Sequence, residues 1–394
     1  MFDLKKEAIG FESELIALRR DFHENPELGY KEFRTSKMIY DYLKKLGIEV
    51  KNISKTGVVG HIYGEAGPGK TILLRANMDA LPVQEDTGLP FASTNEGVMH
   101  ASGHDGHMAI LLVLAKILNR HRDEFGGCVK LMFQPNEEEA GALDMINEGI
   151  LENPVVDGAC SLHLWSALPS GHVGLSQGPV LGTTEEFEVT VYGKSSNTAT
   201  PHTGKDAVLG AAKIIDALQV LSTREYDPLW PMSIMVGKIT GGTARNIIAD
   251  RVKLGGTIRF LFPEEKMHQK KVKEAFRRVV AGVCSTLDLQ YELQFIPSNP
   301  SLINDGRMVA LMKKAVEYTY GTTECMEETK SLIGEDFAEI SQRVPAVMVF
   351  LGIYQPEAGS IYPQYHPKFT IDESVMRYGL ELLLRATLRF LNEK

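Results

Sequence analysis

The sequence predicts an α/β protein of two domains. The larger is built on a mostly parallel sheet with helices on both faces, and a smaller ferredoxin-like βαββαβ domain is inserted into it. Three observations carry this. Near-continuous apolar runs such as "TILLRANMDAL" (71–81) and "AVMVFLGI" (346–353) fit strands covered on both faces. Long helical patterns separate such runs. A length of 394 residues exceeds one ordinary hydrophobic core.

Residues 3–47 contain two helical patterns; in the second, "EFRTSKMIYDYLKKLGI", Met38, Ile39, Tyr42 and Leu43 recur at helical spacing before Gly47 stops it. Strands follow at "VVGHIYG", "TILLRANMDAL", "VKLMFQP" and "GACSLHLW". Between the second and third of these, "GHMAILLVLAKILNRHRDEF" is a long helix. From 183 to 298 the order is a strand "EEFEVTVYG", a helix "DAVLGAAKIIDALQVL", strands "PMSIMVGKIT" and "DRVKLGGTIRFL", a helix "EEKMHQKKVKEAFRRVVAGVC" and a strand "YELQFIP". That is βαββαβ. A helix at 305–320, the strand "AVMVFLGI" and the helix "ESVMRYGLELLLRATLRFL" complete the first domain, so the expected division is 1–182 with 299–394, and 183–298.

Composition narrows the function. A net charge of −9 made of interspersed signs argues against a nucleic-acid or anionic-membrane surface and leaves a small molecule as the expected partner. The charged N-terminus lacks an apolar signal core, and no segment reaches the ~18 apolar residues of a membrane span, so a cytoplasmic location is expected. Cys128, Cys160, Cys284 and Cys325 have no CxxC spacing and are expected to be buried free thiols.

Four stretches fall at expected strand ends or helix starts, where ligands of parallel sheets gather. "NMDALP" carries Asp79, "MHASGHDGH" carries His104 and His107 one helical turn apart, "FQPNEEE" carries Glu137 to Glu139, and "LHLW" carries His163. Converging histidines and carboxylates suit zinc or a similar divalent ion. A second carboxylate beside a metal-held one can serve as general base, a division of labour that Glu137 and Glu138 fit. Taken singly, each has a plainer account: a lone His163 as a core residue, an acidic triplet as a solvated turn, Asp79 as a loop brace. Four groups at equivalent topological positions are harder to explain that way.

The chain resembles the M20 metallopeptidase family, in the amidohydrolase branch of hippurate hydrolases, N-acyl-amino-acid deacetylases and auxin-conjugate hydrolases. The resemblance runs from "RRDFHENPELGYKE" through "FQPNEE", "GGTARNIIAD" and "GEDFAEI" to "YPQYHPKFTIDE". It implies an α/β catalytic domain with an inserted lid that dimerises, and hydrolysis of an amide between an acyl group and an amino acid or similar amine. It makes His104, Glu138 and His163 metal ligands, Glu137 the base, and Asp105 and Asp79 supporting acidic groups. Gly242 and Asn246 belong to the lid loop that approaches the substrate carboxylate, and His202 matches another lid position.

Four departures stand out. The family cysteine ligand is Ser102 here, a neutral hydroxyl and a poor zinc donor. The C-terminal histidine ligand is Tyr365, whose phenol has an ordinary pKa of ~10 and binds as phenolate only if a metal depresses that value. The lid histidine that reaches into the partner's site is Asn197, which can still donate to an oxyanion. A carboxylate is lost at Asn77. Two outcomes are open: a hydrolase with one divalent ion (zinc, manganese or cobalt) per chain rather than two, or a metal-free homologue that binds an amino-acid-like ligand or runs different chemistry.

Overall fold

A computed structural model describes residues 2–393. The chain forms two compact units, one of Met1–Gly178, Ile303–Thr329 and Glu335–Lys394, the other of Pro179–Leu302 and Lys330–Gly334. The short return of 330–334 to the second unit has no counterpart in the sequence-based division.

In chain order the elements begin with α1 (Leu4–Gly10), α2 (Glu12–Glu24), α3 (Phe33–Lys45), β1 (Glu49–Ile53), β2 (Gly57–Tyr63), β3 (Thr71–Asn77) and α4 (His104–Arg120). Then come β4 (Cys128–Gln134), α5 (Gly141–Asn147), β5 (Gly158–Pro169), β6 (Val173–Gly174) and β7 (Gly178–Leu181). The next stretch holds β8 (Thr183–Tyr192), β9 (Ser196–Asn197), α6 (Ala207–Val220), β10 (Met232–Gly241), β11 (Ile247–Ile248), β12 (Arg251–Phe260), α7 (Glu265–Thr286) and β13 (Gln290–Pro297). Last are β14 (Leu302–Asn304), α8 (Gly306–Tyr320), β15 (Met326–Glu327), α9 (Phe337–Ser341), β16 (Ala346–Tyr354) and α10 (Met376–Asn392).

The first helical pattern of the sequence is two helices, not one. Asp3 caps α1 by accepting from the Lys6 N–H at 3.1 Å, and the chain breaks at Gly10 and Phe11, where Phe11 leaves helical geometry (φ −105°, ψ 6°). A glycine is a poor helix former, which places the break there.

The main sheet of the first unit runs β1-β2-β4-β3-β5-β16-β6-β15 among the described residues. Its centre, β4-β3-β5-β16, is parallel throughout, and β1, β2 and the β16-to-β6 junction are antiparallel. Every residue of β3 and of β4 is buried, as strands covered on both faces require. Helix α4 is buried nearly all round and packs on β3, α2 and α10, which explains its apolar sequence on every face.

In the second unit the sheet is antiparallel in the order β10-β12-β8-β13, with α6 and α7 packed on it around Phe187, Ile258 and Phe276. Its chain order is βαββαβ. Among the described residues no helix is long and apolar enough to cross a membrane.

Candidate active site

Parallel register brings the carboxyl ends of β3 and β4 together, beside the first half of β5. Asn77 at the end of β3 pairs with Gln134 at the end of β4, and Arg75 of β3 pairs with Ser161 of β5. Side chains just beyond these ends therefore converge. Asp79 lies two residues past β3, Glu137 three past β4, and His163 is on β5 itself. Helix α4 starts at His104, after Gly103, whose φ of +89° is the left-handed geometry that glycine adopts without strain.

His104 is oriented by the main chain. Its Nδ1–H donates to the Asp79 carbonyl at 2.8 Å, so in the neutral ring Nε2 carries the lone pair; burial disfavours the charged ring, but the carboxylates of Asp79 and Glu138 outweigh it and raise the His104 pKa. Asn77 Nδ2 lies 3.2 Å from that Nε2, and the Glu137 carboxylate lies 3.8 Å from it. His163 is set in the same way: its Nδ1–H donates to the Leu164 carbonyl at 2.8 Å. Burial lowers the His163 pKa to about 4, so the imidazole is neutral, the form that ligates.

Among the described residues only one of the three histidines, His104, has a ligand atom in a cluster with Glu137 and Glu138; His163 does not, and nor does His107. The His107 Nε2 accepts the Leu164 N–H at 2.9 Å and its ring meets the His163 ring edge-on at 4.7 Å. Sharing a helical face with His104, as the spacing allows, has placed it behind His163.

Glu137 is nearly buried, whereas Glu138 is exposed. The Glu138 N–H donates to Asp79 Oδ2 at 3.1 Å, and the Tyr365 hydroxyl donates to both Glu138 carboxylate oxygens, at 3.1 and 2.8 Å. Desolvation, with the carboxylates of Glu138 and Glu137, pushes the Tyr365 phenol up, so with no cation beside it the phenol is a neutral donor. Ser102 is buried in the turn before α4.

A second layer was not read from the sequence. Arg75 Nη2 sits 2.7 Å from both Glu335 and Asp336, and its Nε donates to Gln134 Oε1 at 2.8 Å. Gln134 Nε2 and the Ala142 N–H donate to Asp336 at 2.6 and 2.8 Å. Burial and the carboxylates of Glu335, Asp336 and Glu138 outweigh Arg75 and push the Glu137 carboxyl well above its ordinary range. The signal for this layer was an arginine in the otherwise apolar strand "TILLRAN", a buried cation that needs buried anions.

The residues fit a divalent cation. His104, Glu137 and Glu138 each offer one ligand atom within 4.8 Å of one another. Asp79 Oδ1 is buried without a hydrogen-bond partner among the described residues. The carboxylates of Asp79, Glu137, Glu138, Glu335 and Asp336 outnumber the single guanidinium of Arg75. Glu137, Glu335 and Asp336 also cluster, but Arg75 already occupies that group as its counter-charge.

The remaining residues singled out in the sequence belong to the second unit. Asn197 on β9 and Asn246 meet there: β9 pairs with β11, and the Thr198 N–H donates to the Asn246 carbonyl at 3.2 Å. The Asn197 Oδ1 accepts the Ala199 N–H at 2.9 Å, which leaves its NH₂ as the group that can donate outward. Gly242 (φ +78°) lines a cleft of about 520 Å³ with Lys238 and Arg251, and His202 is exposed in a short 3₁₀ turn.

The chain is 37% identical over 383 residues to thermostable carboxypeptidase 1 of Saccharolobus solfataricus, covering 95% of each chain. It is 37% identical to the N-acetyl-L-cysteine deacetylase of Bacillus subtilis, over 97% of this chain and 89% of the relative. The solved structure of the Bacillus subtilis YxeP protein, a dinuclear metal-binding peptidase, superposes with a TM-score of 0.84 at 32% identity, covering 98% of this chain and all of that one. Residues 73–389 match the model of peptidase family M20/M25/M40, and this chain belongs to that family as a hydrolase.

Proposed function

We propose that the protein hydrolyses the amide bond of a small N-acyl amino acid or related amide, using one divalent ion per chain, zinc, manganese or cobalt. The observation that carries this is the pair Glu137 and Glu138 beside His104, with the ligand atoms of all three inside 4.8 Å. His104, Glu138 and His163 would hold the ion. When bound, it supplies Lewis-acid polarisation of the amide carbonyl and acidifies the attacking water. Glu137, whose surroundings raise its proton affinity, takes the water's proton and returns it to the leaving amine. Asp79 braces Glu138 and His104, its Oδ2 accepting the Glu138 N–H and its main-chain carbonyl accepting the His104 Nδ1–H.

The second unit completes the proposal. As a homodimer formed through this unit, each chain offers its partner Asn197, whose NH₂ donates to the developing oxyanion. Gly242, Asn246 and His202 are proposed to bind the substrate, with the Gly242 loop nearest its carboxylate. Glu137→Gln is expected to lower turnover of N-acetyl amino acids by about 10²- to 10⁴-fold while ion uptake is kept. Unchanged turnover would remove Glu137 from the chemistry.

One observation favours the second outcome, a metal-free homologue: the Asn77 amide sits against His104 Nε2. Elemental analysis of protein purified without chelator separates the two. Stoichiometric metal supports the hydrolase, and a chain that neither carries nor takes up zinc, manganese or cobalt supports the binding protein.

A further inference from the structure

Tyr365 is the residue of this site whose conformation is hardest to explain by packing. Its φ is +68°, the left-handed region that a bulky residue avoids, and such strain persists only where surrounding structure over-determines it. Here it is held on several sides. The Tyr365 N–H donates to the Ala101 carbonyl at 2.8 Å, in the turn just before α4. The neighbouring Gln364 donates through Nε2 to the Leu164 carbonyl at 3.1 Å and accepts from the Ser166 hydroxyl, tying the loop to β5 beside His163. On the other side His366 stacks on Tyr362, ring centroids 4.4 Å apart and 12° from parallel.

These ties do not bury the residue, which as a whole remains 48% exposed. Packing therefore does not account for the strain. What the conformation achieves is delivery of the phenol O–H to Glu138, across both carboxylate oxygens at 3.1 and 2.8 Å. Glu138 is itself exposed and lies in a short 3₁₀ turn, so without a second tether its side chain would be free to rotate. Its N–H is fixed by Asp79, and its carboxylate by Tyr365.

We propose that Tyr365 is a positioning residue of the amide-hydrolysis site: its strained backbone holds a phenol donor that fixes the Glu138 carboxylate in the orientation that faces His104 and the cation. The inference rests on the hydrolase proposed above. Outer hydrogen bonds to ligating carboxylates orient them, and their loss typically costs about 10- to 100-fold in metal affinity.

Cobalt(II) titration of the full chain, followed by visible absorption, tests this with a readout independent of turnover. Tyr365→Phe keeps the ring and removes only the donor; it is expected to weaken cobalt binding by about 10- to 100-fold and to change the ligand-field band. Tyr365→Gly removes the donor and the strain together, so it is expected to weaken binding as much while the thermal midpoint holds or rises. Wild-type uptake matched by Tyr365→Phe in affinity and spectrum overturns the inference alone. A wild-type chain that takes up no cobalt overturns the hydrolase and this inference with it.

Discussion

Asp105, one residue past His104, shows how single side chains hold the start of α4. Its carboxylate lies 2.8 Å from Arg19 Nε and 2.7 Å from His23 Nδ1, with all three side chains fully buried. Burial disfavours the charge, but Arg19 and His23 outweigh it and hold the carboxyl well below the usual carboxylate range. The unfolded carboxyl titrates near ~3.9. Because the folded value is lower, the stabilisation is present above the unfolded value and disappears as pH falls through the folded one. Arg19→Met strips the main counter-charge from a buried anion and is expected to destabilise by about 3 kcal/mol at pH 7. The gap between variant and wild type should narrow in acid. Denaturant unfolding at pH 7 and at pH 3 measures both, and equal stability at pH 7 would show that the pair holds nothing.

At the scale of elements, the turn from β4 to α5 places the two glutamates. Asn136 and Ala140 both take left-handed geometry, with φ of 55° and 66°. The Asn136 N–H donates to Glu32 at 3.0 Å, and the Gly141 N–H closes the turn onto the Asn136 carbonyl at 2.8 Å. A Cβ at Gly141 would lie 2.0 Å from the Pro135 carbonyl oxygen, a contact with main chain that cannot swing aside. Gly141→Ala is therefore expected to cost about 2 kcal/mol of stability and to lower turnover beyond what the loss of folded protein explains. Thermal unfolding and specific activity per folded molecule check it; a variant active at the wild-type level would show that the turn geometry is dispensable. The existence of this turn was legible in the sequence, since "FQPNEEE" follows an apolar strand, and so was His104 at a helix start; His163, expected near a strand end, lies in the middle of β5. The Arg75 pairs with Glu335 and Asp336 were not, because the partners are separated by 260 and 261 residues and no local period links them. Nor did the sequence show that Tyr365 would face Glu138 as a donor, a matter of one strained dihedral rather than of residue type.

At the scale of the whole molecule, the open question is what the edge of the second unit meets. Strand β10 is the terminal strand of its sheet and pairs only with β12 among the described residues. It carries Met235 and Ile239 at 62% and 60% exposure, and a long apolar edge presents unpaired N–H and C=O groups that template pairing with another chain. The opposite edge strand, β13, interleaves Gln290, Glu292 and Gln294 with apolar residues, of which Tyr291 and Ile296 are less exposed, at 37% and 38%, than the two on β10. That asymmetry favours β10 as the face of a two-fold dimer, in which the same strand of each chain pairs with its copy. Replacing both Met235 and Ile239 by lysine keeps the fold of each chain, since neither side chain is in the core, but sets like charges against each other across the two-fold axis. Wild type is expected to sediment as a dimer at micromolar concentration and the double variant as a monomer. If Asn197 acts in the partner's site, the monomer loses turnover together with its association while its cobalt uptake is unchanged, because the proposed ligands His104, Glu138 and His163 all come from one chain. A monomer with full activity would separate assembly from catalysis and remove Asn197 from the chemistry; a wild-type chain that is itself monomeric would remove the dimer.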